Sequence, residues 1–135
     1  MIKKIHHVGI AVRNLNEAMN FFEKTYGAET ISRKVFPELK QESALIAMGE
    51  CQFELAMSTD PEGVMAKFIE KRGEGIHHVS VEVDDLKNEI QHLEKQGLTV
   101  FGEKNVGEIT VVYVHPKNNY GILVEIIAKN DEPGA

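Results

Sequence analysis

Two histidines and two glutamates in this chain have the types and spacing to hold a divalent cation. Residues 5–12 read IHHVGIAV and residues 76–83 read IHHVSVEV, an offset of 71 residues. The same offset relates Leu15 to Leu86 and Glu23-Lys24 to Glu94-Lys95. It also carries the Glu54 of Phe53-Glu54-Leu55 onto the Glu125 of Val124-Glu125-Ile126. One matching segment arises by chance; a single offset that holds from the first strand-like run to the last marks an internal duplication. Successive residues of a strand point to opposite faces. In the first run Val8, Ile10 and Val12 share a face suited to packing beneath a helix. His7, Gly9 and Ala11 share the other, small and polar-tipped, as a cavity wall would be. In the second run Val79, Val81 and Val83 pack, and His78, Ser80 and Glu82 take the opposite face. Alternation therefore selects His7 and His78, and sends His6 and His77 to the core side or the strand entrance. Glu54 and Glu125 each stand between two apolar residues of the other face. A carboxylate there is costly to bury as a bare charge, and a shared cation explains two of them, each matched to a histidine.

Imidazole and carboxylate together form a mixed nitrogen and oxygen donor set. It suits Mn²⁺, Co²⁺, Ni²⁺ or Zn²⁺, with water completing the shell. A calcium or magnesium site would use oxygen alone, and the absence of cysteine ligands argues against a structural zinc. Open coordination positions make the metal catalytic, able to polarise a carbonyl oxygen. His92, on an exposed helix position, and His115, beside Pro116, fall outside the ligand set, with His115 left as a residue that could touch a substrate. Lys67, Lys71 and Arg72 read as a solvated helix end. The glycines of Lys71-Arg72-Gly73-Glu74-Gly75 lack the phosphate-loop pattern and read as a hinge. Cys51 is the one cysteine, so no intramolecular disulfide exists, and its apolar neighbourhood predicts an inert packed thiol.

These residues need strands to carry them. Each repeat opens with a strand, over 5–12 and 76–83, and a helix follows. Asn14 and Asn16 are cap candidates for the first helix, with Ala18, Met19, Phe21, Phe22 and Tyr26 as its apolar face. Asp84 or Asp85 caps the second, with Leu86, Ile90 and Leu93 at helical spacing. Gly27 and Gly97 fall where helices end. Three strand-like runs complete each repeat, near 29–36, 42–48 and 51–57, and near 98–103, 109–114 and 121–128. Gly49-Glu50 and the Pro116–Gly121 segment read as turns. The result is an α+β fold of two tandem βαβββ modules, 3–58 and 75–128, within a single domain spanning 1–135. A connector over 59–74 carries Val64, Met65, Phe68 and Ile69 at helical intervals.

A length of 135 residues suits one domain, and 42 % hydrophobic residues are enough to fill its core. The net charge of −6 argues against a nucleic-acid partner and gives no attraction to an anionic membrane. The absence of a secretory h-region or a membrane-length apolar run sets the cytoplasm as the expected location.

The segments IHHVGIAV, KFIEKRGEGIHHVSVEVDDL and HPKNNYGILVEI resemble the vicinal oxygen chelate superfamily, and most of all its methylmalonyl-CoA epimerases. The likeness runs from Ile5 to about Ile127. It implies a curved mixed sheet around a metal cleft, with His7, Glu54, His78 and Glu125 as metal ligands. It also implies an acyl-CoA thioester as partner and a homodimer. The implied reaction is metal-assisted 1,1-proton transfer at C2 of methylmalonyl-CoA, through an enolate, interconverting the (R) and (S) forms. Glu125 would act from one side as ligand and base, and Glu54 or Glu42 from the other. Some epimerases carry glutamine at the position of Glu54. Their further acid–base glutamate, counted from Pro37-Glu38, falls on Ser43, which makes the neighbouring Glu42 the candidate. Glutamate at position 54 is also what glyoxalase I uses, so a lactoylglutathione lyase is the alternative enzyme. A non-catalytic small-molecule-binding member is the alternative outside catalysis.

Overall fold

A computed structural model describes residues 1–130; the last five positions of the expected domain lie outside the described residues. The chain forms two compact units. One is His7–His77, and the other joins Met1–His6 to the described residues from His78 onward.

In the His7–His77 unit the elements are β1 (Ile2–Ala11, from His7), α1 (Leu15–Tyr26), β2 (Glu29–Phe36), β3 (Gln41–Met48), β4 (Cys51–Ser58) and α2 (Val64–Arg72). The strands lie in the order β2-β3-β4-β1. β3 runs antiparallel to both neighbours and β1 parallel to β4. The helix α1 starts where the Asn14 side chain accepts the Glu17 N–H at 3.0 Å. It ends at Gly27, whose φ of 71° is left-handed and cheap only for glycine. Leu15, Ala18, Met19 and Phe22 of α1 pack on Ile10 and Val12, on Ala44, Ile46 and Met48, and on Phe53, Leu55 and Met57. These positions recur at period two along each strand, so burying that face fixes the register. Leu15, Ile46 and Leu55 are fully buried, each contributing roughly 1.5–3 kcal/mol of apolar transfer. Val8 is half-buried and lies outside this cluster. Phe21 and Tyr26, expected on the apolar face, are exposed. They flank Phe22 from outside, with ring centroids at 5.3 and 5.8 Å.

The opposite face of the same strands buries Ala11 and Ala56 beneath Met65, Phe68 and Ile69 of α2. The small face of β1, read as a cavity wall, is therefore roofed by the connector helix at its Ala11 end. Gly63 gives α2 no side-chain cap; instead the Ser58 hydroxyl accepts the Ala66 N–H at 2.8 Å. Cys51, expected to be packed, is exposed, because it opens β4 directly after the Gly49-Glu50 turn.

The second unit holds β5 (Gly75–Val83, from His78), α3 (Leu86–Lys95), β6 (Val100–Val106), β7 (Ile109–Val114) and β8 (Val124–Lys129), in strand order β5-β8-β7-β6. Of the two cap candidates Asp85 is the one used, accepting the Asn88 N–H at 3.1 Å. Leu86, Ile90 and Leu93 pack on Val81 and Val83, Val112 and Val114, and Ile126 and Ala128. Residues 1–6 join this unit partly through charge. Lys3 Nζ lies 3.2 Å from Glu82 and 3.5 Å from Asp84.

The duplication is visible in the register. Val8 pairs with Phe53 and Gly9 with Glu54 in the first unit; Val79 pairs with Val124 and Ser80 with Glu125 in the second. Both modules thus take the expected βαβββ order, and the fold is α+β. No helix among the described residues is long and apolar enough to cross a membrane.

Candidate metal centre

Each unit builds one histidine–glutamate pair on parallel neighbouring strands. In the first, the side chain of His7 on β1 is 5 % exposed and that of Glu54 on β4 is 22 % exposed, with Nε2 and Oε2 3.8 Å apart. In the second, His78 on β5 and Glu125 on β8 are 3 % and 13 % exposed, with Nε2 and Oε1 4.0 Å apart. Both separations are too long for a direct hydrogen bond. Two donors of one ion, each about 2.0–2.2 Å from it, can stand at most about 4.4 Å apart. Both pairs fall under that ceiling, and their nitrogen and oxygen chemistry suits a divalent transition metal.

The two pairs differ in what supports them. The Ser80 hydroxyl, fully buried, donates to Glu125 Oε1 at 2.9 Å. The equivalent neighbour of Glu54 is Gly9, which has no side chain to offer. Ser80 shares the face of Glu125, a placement that alternation had given it without assigning its hydroxyl any work. The signal available in the sequence was a small hydroxyl residue standing at the offset of Gly9.

Glu42 lies on the face of β3 that carries Ala44, Ile46 and Met48, since it pairs with Met57 of the α1-side cluster. Its Oε2 accepts the Arg33 Nε–H at 2.7 Å, while Arg33 also donates to Asn16 Oδ1 at 2.6 Å. The strand places Glu42 on the opposite face from Glu54, and position 43, on the Glu54 face, is a buried serine that accepts from Gln41 Nε2 at 2.8 Å. His92 and His115 are exposed. His6 and His77 are half-buried, and the His77 ring meets the edge of Phe68 at 5.0 Å. Burial holds the His6 imidazole below its ordinary pKa, with Lys4 adding to the effect and Glu82 and Glu125 opposing it. The Glu82 carboxyl is also held low: burial acts to raise it, but the hydrogen bond and charge of Lys3, with Lys4 and Lys129, outweigh that.

The family model described as the Glyoxalase/Bleomycin resistance protein/Dioxygenase superfamily matches residues 6–114. The chain belongs to this superfamily. Within it, an ethylmalonyl-CoA/methylmalonyl-CoA epimerase of Cereibacter sphaeroides is 32 % identical over 131 residues, covering 93 % of this chain and 98 % of that protein. The crystal structure of methylmalonyl-CoA epimerase from Mycobacterium tuberculosis superposes with a TM-score of 0.87 at 27 % identity, over 96 % of this chain and 90 % of that one. A Streptomyces coelicolor methylmalonyl-CoA epimerase variant in complex with 2-nitronate-propionyl-CoA superposes with a TM-score of 0.86 at 25 % identity, over 97 % and 100 % of the two chains. Both the family and the fold implied by IHHVGIAV and HPKNNYGILVEI are therefore those of the epimerase branch.

Proposed function

We propose that this chain epimerises the α-carbon of methylmalonyl-CoA, with His7, Glu54, His78 and Glu125 holding one divalent cation. What carries the reading is a histidine–glutamate pair built twice at one register, in a chain whose curated relative acts on methylmalonyl-CoA and ethylmalonyl-CoA by name. A divalent cation on those ligands supplies Lewis-acid stabilisation to negative charge developing on substrate oxygens.

The chain's own residues handle the proton. The C2 hydrogen of a malonyl thioester lies between two carbonyl groups, and its loss leaves an electron pair delocalised into both. Inversion requires removal on one face and return on the other, hence two acid–base groups. Glu125 takes one role, its carboxylate aimed by the Ser80 hydroxyl. Glu54 takes the other: one carboxylate accepts the C2 proton, and the opposite carboxylic acid delivers a proton to the other face. Glu42, held by Arg33 on the helix side of β3, takes no part.

The test is proton exchange at C2 of methylmalonyl-CoA in D₂O, followed by NMR with Mn²⁺- or Co²⁺-loaded protein, after chelation, and in His78→Ala. Exchange is expected in the loaded protein and lost in the other two. Absence of exchange in the loaded parent sinks the epimerase. Turnover of the glutathione–methylglyoxal hemithioacetal would install a lactoylglutathione lyase instead, and failure to bind any divalent metal a non-catalytic binding protein.

A further inference from the structure

The two copies of the duplicated site have diverged beside their glutamates. Across the antiparallel ladder from Glu125 stands Tyr113; across from Glu54 stands Leu45. One strand further out, Phe101 of β6 pairs with Tyr113, whereas Ser32 of β2 pairs with Leu45. The second unit therefore carries two aromatic rings on the same sheet face as its carboxylate, where the first has an aliphatic side chain and a hydroxyl.

These rings are not core. The packed cluster of this unit uses the other face of the same strands, through Val100, Val112, Val114 and Ile126. Phe101 is 44 % exposed. Its ring lies 5.8 Å from Tyr113, tilted by 32°, and 6.0 Å from His115. The backbone is shaped to hold the pair. Register shifts between Phe101 and Lys104, and Gly102 inside that bulge has a φ of 72°. A Cβ at Gly102 would stand 3.0 Å from Tyr113 Cδ2, so the tyrosine ring rests on bare backbone. Bulges of this kind re-aim side chains beside functional groups.

We propose that Phe101 and Tyr113 form the wall that meets the α-substituent of the acyl group and sets how large a substituent is accepted. This rests on the epimerase reading above. A carbon that presents its hydrogen to Glu125 presents its alkyl branch to a neighbouring surface, and a rigid aromatic pair gives that branch an apolar contact of fixed depth. Phe101, the outer and more exposed ring, limits the far end.

The experiment measures C2 exchange in D₂O with methylmalonyl-CoA and ethylmalonyl-CoA for the metal-loaded parent, Phe101→Ala, and Tyr113→Leu, which restores the residue found in the first module. Calorimetry measures the affinity of both thioesters. One methylene in an apolar pocket is worth about 10-fold or more, so Phe101→Ala should raise the ethyl-to-methyl ratio of kcat/KM by about 10-fold. Tyr113→Leu should shift it in the same direction. A ratio that stays within about 2-fold in both variants, with the parent active, overturns the wall. A parent that exchanges no proton from either thioester but binds both defeats the epimerase reading alone, and the affinity ratio then decides the wall by the same thresholds. A parent that binds neither thioester overturns both.

Discussion

The finest distinction between the two histidine–glutamate pairs is a hydroxyl. Ser80 donates to Glu125 Oε1 at 2.9 Å from a fully buried position, while Gly9 leaves Glu54 without that support. Groups that orient a ligand typically contribute 10–100-fold to metal affinity. Ser80→Ala is therefore expected to weaken Mn²⁺ binding by about 10–100-fold, read by calorimetry, with the circular dichroism spectrum unchanged. Unaltered affinity would show that Glu125 is aimed by something else. Alternation was enough to put His7 on the same face as Glu54 and His78 on the same face as Glu125, because parity along a strand survives errors in strand ends. It also held the answer for Glu42. Position 42 shares parity with Ala44 and Ile46, which pack under α1, so its carboxylate belongs to the helix side. Counting from Pro37-Glu38 obscured this, since the chain turns there through a short 3-10 helix, Pro37–Leu39, and a left-handed Lys40 before the strand begins.

At the scale of elements, α2 depends on a position whose identity the apolar pattern does not explain. Gly63 has an ordinary backbone conformation, yet a Cβ there would collide with Ser58 Oγ, stand 2.8 Å from Ser58 Cβ and 3.0 Å from the Lys40 carbonyl. Ser58 Oγ is the acceptor that caps α2. Gly63→Ala should thus cost about 1–3 kcal/mol through crowding and a displaced cap, seen as a fall in Tm; an unchanged Tm would mean that the Ser58 side chain moves aside freely. Helices and turns were legible because their signals are local: Asn14, Asp85 and Gly27 act within a turn of where they stand. Strand limits were less so. β6 runs over Val100–Val106 rather than 98–103 and β8 starts at Val124 rather than 121. The bulge at Gly102 lets β6 continue through polar residues that alternation alone would have excluded. The segment before β8 is instead held as a turn by Asn119 and Gly121 N–H groups donating to the Pro116 carbonyl. The exposed rings of Phe21 and Tyr26 show the reverse error, aromatic residues counted as core that lie against Phe22 from outside.

At the scale of the molecule, residues 1–6 group with the described residues after His77. Lys3 is part of that attachment, and Glu82 receives it with a carboxyl held below its ordinary pKa. A carboxyl lowered in the folded state contributes stability at neutral pH and loses that contribution as pH falls through its folded value. Glu82→Gln should accordingly lower Tm slightly at pH 7, with the gap from the parent narrowing below the ordinary carboxylate range. A gap independent of pH would mean that Lys3 does not act through the charge of Glu82. Metal should act on the same scale. A ligand that binds only the folded chain stabilises it by about 2.7 kcal/mol at 100 times its Kd. Saturating Co²⁺ should raise Tm in the parent and leave His78→Ala unmoved; equal rises in both would remove His78 from the ligand set.

The grouping of residues 1–6 with the chain beyond His77 bears on the order in which the protein can be made. Residues 7–77 are contiguous, so a nascent chain carries all of that unit's strands and helices as soon as they leave the ribosome. The other unit joins residues from both sides of that segment, so its earlier part must wait for its later part. Lys3 must wait for Glu82 and Asp84, and loops of that length close at an entropic cost that slows the pairing of distant strands. During synthesis the strand that carries Ile2 and Ile5 lacks these partners for as long as the second half is missing. The basic pair Lys3-Lys4 set between those isoleucines is the sort of charge that keeps such a waiting edge from joining another chain.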